Sequence, residues 1–147
     1  MNRSVKQVII VRRDLLEPYG GPVGFGKFGG QVAHASGAPL LEMLKGPRDK
    51  NIPCVNGKYV LSCELDESDA LKLWIEDSFT KVVLSVKSEE ALINLHNKIL
   101  AAGFISCLIT DNAKTVFSEP TITCLGVEPL YAEQIDPLTK KLQLLKV

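Results

Sequence analysis

The sequence predicts an α/β protein, with a mixed sheet of four or five strands, helices on both faces and an inserted surface hairpin. Three observations carry that expectation. Val5 to Val11 is an apolar, β-branched run suited to a strand buried on both faces. Further strand-like runs at Lys81–Val86, Phe104–Thr110 and Ile122–Val127 share the chain with helical periodicities. The chain has 147 residues, 46% hydrophobic and 23% charged, enough for one domain over 1–147 to bury a core without disulfides or metals.

The elements follow in order. Arg12-Arg13-Asp14 ends the first strand. Glu17 to Gly26 holds two prolines and four glycines and reads as a loop. A helix is expected from about Phe28 to Leu44, with Val32, Ala35, Leu40 and Leu44 facing the core. Its first half is small (Gly29, Gly30, Ala33, Ala35, Ser36, Gly37, Ala38), which suggests close packing on a sheet at some cost in helix propensity. Val55-Asn56-Gly57-Lys58 carries the Asn-Gly signature of a tight hairpin, and Pro53 keeps that ribbon out of the middle of a sheet. A short helix carrying Leu71 and Trp74 is expected within Asp66–Asp77, capped by Asp66 or Ser68. Ser88 caps the next helix, Glu89 and Glu90 occupy its first turn, Leu92, Leu95 and Ile99 share one face, and Gly103 ends it. One more short helix is expected at Pro129–Ile135, and Leu142–Leu145 closes the chain.

Composition narrows the function classes. Seventeen basic and 17 acidic residues cancel, so overall attraction to nucleic acid is not indicated, although Arg3, Lys6, Arg12, Arg13 and Lys27 cluster early and Lys140, Lys141 and Lys146 late. The four cysteines show no C-x-x-C spacing and stand apart from the two histidines, so no metal site is expected. No stretch is apolar enough to cross a membrane, and the N-terminus lacks a signal-peptide core; a cytoplasmic chain with reduced thiols is expected.

Gly24 to Ser36 superficially matches two phosphate-binding patterns. Gly21 to Lys27 reads G-x-x-x-x-G-K, but Phe28 follows where a magnesium-binding hydroxyl is needed. Gly24 to Gly29 reads G-x-G-x-x-G, but irregular residues separate it from the first strand. What survives is a lysine beside a helix N-terminus able to hold an anion. Ligands in such sheets collect beyond the carboxyl ends of parallel strands. That rule nominates Arg12–Lys27 and Asp111–Thr115, and if the strands before them are parallel, Lys27 and Asp111 share one cleft. A carboxylate beside an ammonium stays ionised and orients or deprotonates water, while the ammonium steadies an anion; that is hydrolysis without metal or cofactor. Spacing alone favours the plainer reading of an Asx-turn aspartate and a solvated lysine. His34 is expected to be packed and hydrogen-bonded, one turn from Gln31, and His96 to lie on the surface.

Ordered blocks along nearly the whole chain resemble the type-2 (archaeal and eukaryotic type) peptidyl-tRNA hydrolases. Val-Ile-Ile-Val-Arg12-Arg13-Asp14-Leu15 resembles that family's first strand and its Arg-x-Asp-Leu end. Gly26-Lys27-Phe28-Gly29-Gly30-Gln31-Val32-Ala33-His34-Ala35 resembles its G-K-x-A-A-Q-x-x-H-A signature. Trp74 with Lys81-Val82-Val83, Leu108-Ile109-Thr110-Asp111, Thr121 to Val127, and Ile135-Asp136 to Leu145 resemble four later blocks. The resemblance implies hydrolysis of the ester between a peptide and the 3′ ribose of tRNA, a role in translation and ribosome rescue, and no cofactor. It implies an active site of Lys27, Asp111 and Thr115, supported by Gln31 and His34, with Arg12, Arg13 and Lys114 on tRNA phosphates. Peptidyl-tRNA is the implied partner, and a homodimer is compatible with the reading. The chain departs from the pattern at Phe79, Ala113, Lys114 and Val116 and carries insertions near 17–24 and 46–65. Those departures leave a weak or inactive RNA-binding or protein-interaction module as the alternative.

Overall fold

The computed structural model describes residues 3–45 and 52–146. Strand β1 (Val5–Arg12) runs parallel to β4 (Lys81–Val86), from Gln7 opposite Lys81 to Arg12 opposite Val86. On its other side β1 pairs antiparallel with β6 (Thr121–Val127), which pairs antiparallel with β5 (Ser106–Asp111). Two short strands complete the sheet. β8 (Gln143–Leu144) lines β4, and β7 (Leu130–Tyr131) pairs with the start of β1. The sheet is thus mixed, as expected, but has six strands in the order β5-β6-β1-β4-β8 with β7 beside β1. The two additional strands are two residues each, too short for an alternating pattern to announce them.

Side chains of β1 alternate between two apolar layers. Val8 and Ile10 join Leu84, Leu125 and Val127 under α3 (Glu89–Ala101), where Leu92, Leu95 and Ile99 are buried. Ile9 and Val11 join Ile109 and Cys124 under α1 (Phe25–Lys45). Val5 packs with Leu71 and Trp74 of α2 (Ala70–Glu76). Helix α4 (Ala132–Thr139) follows β7 and buries Ile135 on the α3 side, so the helices cover both faces.

Several boundaries differ from expectation for local reasons. Helix α1 begins at Phe25, its first i→i−4 bond running from the Phe28 N–H to the Gly24 carbonyl at 3.0 Å. Helix α2 is capped by Asp69, whose carboxylate accepts from the Leu71 N–H at 3.0 Å. The segment read as a helix at Pro129–Ile135 first pairs as β7 and turns helical at Ala132. The Asn-Gly hairpin forms as expected: β2 (Cys54–Val55) and β3 (Lys58–Tyr59) flank Asn56 and Gly57, at φ 51° and 74°. The part of the expected insertion at 46–51 lies outside the described residues.

Two contacts fix α1 on the sheet. Gln7, fully buried in β1, donates to the Ser36 carbonyl at 2.8 Å and accepts from the Ser36 hydroxyl at 2.6 Å. Pro39 lies inside the helix and has no N–H for the Ala35 carbonyl one turn back. That carbonyl meets Gly126 of β6, where a Cβ would stand 1.7 Å from the Ala35 oxygen. The close approach expected from the small residues of α1 is therefore made by Ala35, and the strand supplies the glycine. Gly29 and Gly30 are exposed, and a Cβ on either would meet nothing within 4 Å.

Candidate active site

β1 and β5 both run antiparallel to the intervening β6, so they are parallel to each other and end at the same edge of the sheet. Asp111 is the last residue of β5, and Lys27 and Gln31 lie in the first two turns of α1, which packs over β5 and β6. The chain must fold for these groups to meet, and they do. Lys27 Nζ lies 2.7 Å from Asp111 Oδ2 and donates to Thr115 Oγ1 at 2.6 Å. Gln31 Nε2 donates to the same Asp111 Oδ2 at 3.1 Å. The Ala113 N–H donates to Oδ1 at 2.9 Å. That last bond is an Asx-turn, so the plainer reading of Asp111 and the paired one hold together.

Asp111 is buried, and its carboxyl is held below its ordinary value of 3.8, first by the hydrogen bond from Lys27. Burial opposes that shift, and the Ala113 N–H and the Lys27 and His34 charges reinforce it. A carboxylate offers about four lone-pair sites. Three are used, leaving capacity on Oδ1 for a water. A cleft of about 330 Å³ opens over these groups, walled by Gln31, His34, Asn112 and Lys114.

Sequence reasoning missed Thr123 and Cys124. The buried Thr123 hydroxyl donates to Gln31 Oε1 at 2.5 Å, which fixes the Gln31 amide with its nitrogen toward Asp111. Cys124 Sγ donates to the Gln31 carbonyl at 3.2 Å, and burial pushes its thiol up to about 11. Both residues sit in the middle of an apolar strand, where only the resemblance of the Thr121–Val127 block to the family covered them.

The other expected residues are placed as follows. His34 is exposed in the cleft wall, contrary to the packed histidine anticipated, because Ala35 and not His34 takes the sheet-facing position. His96 is half-buried, its Nδ1 2.8 Å from Ser106 Oγ. Arg12 is held away from the cleft, bonded to the Asp14 carboxylate at 2.9 Å and to the Ile122 carbonyl at 2.9 Å. Arg13 donates to Ser85 Oγ at 3.2 Å. Lys114 lines the cleft. Among the described residues no three His, Cys, Asp or Glu side chains gather as a metal site.

The family model described as "Peptidyl-tRNA hydrolase PTH2" matches residues 5–145. The chain belongs to the PTH2 family. It is similar to the peptidyl-tRNA hydrolase of Sulfolobus acidocaldarius, 33% identical over 141 residues that cover 96% of this chain and 100% of the relative. The Methanothermobacter thermautotrophicus peptidyl-tRNA hydrolase is 32% identical with 96% and 100% covered. That of Methanopyrus kandleri is 33% identical with 96% and 98% covered. Within this PTH2 chain, the departure at Ala113 has a visible backbone consequence. Ala113 takes φ 63°, the left-handed region that a glycine occupies without strain.

Proposed function

We propose that this protein hydrolyses the ester of peptidyl-tRNA, releasing peptide and free tRNA, with Lys27, Asp111 and Thr115 at the reacting centre. The observation that carries this is the contact of one ammonium with both the Asp111 carboxylate and the Thr115 hydroxyl, at 2.7 and 2.6 Å. Family membership supplies the substrate class.

Asp111, ionised and with a depressed pKa, is a weak base; its role is to accept a hydrogen bond from the attacking water and aim its oxygen. The Thr115 hydroxyl fixes the second side of that water or the ribose edge. As the water oxygen bonds to the acyl carbon, the carbonyl oxygen gains negative charge, which the Lys27 ammonium stabilises. The ester C–O bond then breaks, and the proton given up by water balances the charge on the departing ribose oxygen. Gln31, anchored by Thr123, keeps Asp111 from rotating. His34 and Lys114 face the cleft and serve the tRNA end, with Lys114 and Arg13 on phosphates. Arg12 reaches a phosphate only by leaving Asp14 and Ile122. The site of action is the cytoplasm, where translation supplies the substrate. No described helix is long and apolar enough to cross a membrane.

The test is hydrolysis of an N-blocked aminoacyl-tRNA by Lys27→Ala, with circular dichroism to confirm folding. Turnover is expected to fall by about 10²- to 10³-fold, and normal turnover refutes the assignment. Wild-type turnover is expected to survive a chelator, because the proposed steps use only side chains.

A further inference from the structure

A second basic surface lies on the α3–α4 side of the sheet, away from Lys27 and Asp111. A groove of about 550 Å³ runs between α3 and the end of α4, with Lys98, Lys140 and Lys141 in its walls. All three lysines are exposed, and none makes an ion pair among the described residues. No carboxylate lines the groove, and the nearest on α3 in sequence is exposed Glu90, next to Ala91 of the wall. The floor is apolar (Val86, Leu95, Leu138 and Leu142), so the lysine stems can rest on it while their ammonium groups face solvent.

Its position relates the groove to the site. Val86 is the last residue of β4, at the same sheet edge as Asp111, because β4 and β5 both run parallel to β1. Three strand spacings separate β4 from β5 in the sheet, about 14 Å at roughly 4.8 Å each. Successive phosphates advance about 3.4 Å per nucleotide along a helical strand. The cleft lies on the α1 face and the groove on the α3 face. Nucleic acid leaving the cleft therefore rounds this edge to reach the groove, a path longer than the roughly 10 Å that three nucleotides span. Arg13, bonded to Ser85 of β4, and exposed Lys87 lie along that edge.

We propose that the groove rimmed by Lys98, Lys140 and Lys141 is a second contact surface for the tRNA phosphate backbone, holding the body of the substrate while its 3′ end occupies the cleft. This rests on the reading of peptidyl-tRNA as substrate. A protein of zero net charge then binds a polyanion through a local cluster of cations, Lys98, Lys140 and Lys141, that make no ion pair among the described residues.

The test compares wild type with Lys98→Ala/Lys140→Ala/Lys141→Ala on intact peptidyl-tRNA and on a peptidyl ester of a CCA trinucleotide, too short to reach the groove. With intact tRNA the triple variant is expected to raise KM roughly tenfold at low salt with kcat unchanged. The slope of log affinity against log salt should fall in magnitude by about 2 to 3, close to one per lysine. On the trinucleotide ester the two proteins should match. An unchanged KM and salt slope on intact tRNA overturns the proposal. If the variant then also loses binding to a polyglutamate peptide that wild type retains, the groove belongs to an acidic protein. Failure of the wild type to hydrolyse either substrate would instead overturn the assigned reaction, so the two failures are distinguishable.

Discussion

Gly126→Ala tests whether the seat of α1 on β6 sets the catalytic geometry. The added Cβ would lie 1.7 Å from the Ala35 oxygen and 2.6 Å from its carbonyl carbon. Carbon contacts settle near 3.5 Å, so the helix backbone must retreat by roughly 1.5 Å, and no flexible side chain can absorb the move. Overpacking of this kind costs about 1–3 kcal/mol; with rigid helix backbone as the obstacle, we expect about 3. For a chain of this size that lowers Tm by roughly 6–12 °C. Ala35 is one turn beyond Gln31 and two beyond Lys27, so both ride with the displaced segment. A displacement near 1 Å at a reacting centre costs on the order of 10²-fold in rate. Calorimetry and single-turnover hydrolysis read both effects. Gly29→Ala is the control: nothing lies within 4 Å of its Cβ, so it should stabilise the protein by about 0.5–1 kcal/mol with full activity. A Gly126→Ala protein that melts and turns over like wild type would refute the argument.

Three further outcomes are expected. Thr123→Val removes the donor that orients Gln31 and should lower kcat by roughly tenfold with little change in KM, while Thr123→Ser restores it, as steady-state kinetics on peptidyl-tRNA will show. Ala113→Gly relieves a left-handed alanine, keeps the N–H that bonds Asp111, and should gain about 1 kcal/mol in a denaturant titration without loss of turnover. In Lys27→Met the largest cause of the Asp111 depression is gone and burial remains, so its NMR titration midpoint should rise. Because the folded pKa of Asp111 is depressed, wild type holds stability above the unfolded value near 3.8 and loses it as pH falls through the lower folded value. Lys27→Met should lose that acid-range dependence in pH-resolved melts.

What was legible in the sequence was what short range decides. The β-branched run of β1, Ser88 as cap of α3 and the Asn56-Gly57 turn each follow from a few neighbouring residues. Lys27 and Asp111 were legible as a pair because strand-end placement is a rule of topology, and β6 between β1 and β5 satisfied its condition. Small residues were read as packing without their partner. Only the fold shows that Gly126 takes the contact while Gly29 and Gly30 face solvent. Thr123 was hidden for the same reason: its hydroxyl matters through Gln31, 92 positions earlier in the chain. The β7 strand escaped notice because two residues carry no period.

The strand order also has a consequence for when the protein can work. β6 is the fourth of the five strands on the sheet path to be synthesised, yet it lies between β1, the first, and β5. Until Thr121–Val127 has left the ribosome, nothing ties Asp111 to the rest of the sheet, and neither Thr123 nor the glycine seat of α1 exists. A nascent chain that carries Lys27, Asp111 and Thr115 therefore still lacks the strand that holds Gln31 and seats α1. If the reacting centre is the proposed one, a chain that stops before Thr121 is expected to be inactive even though Lys27, Asp111 and Thr115 are present.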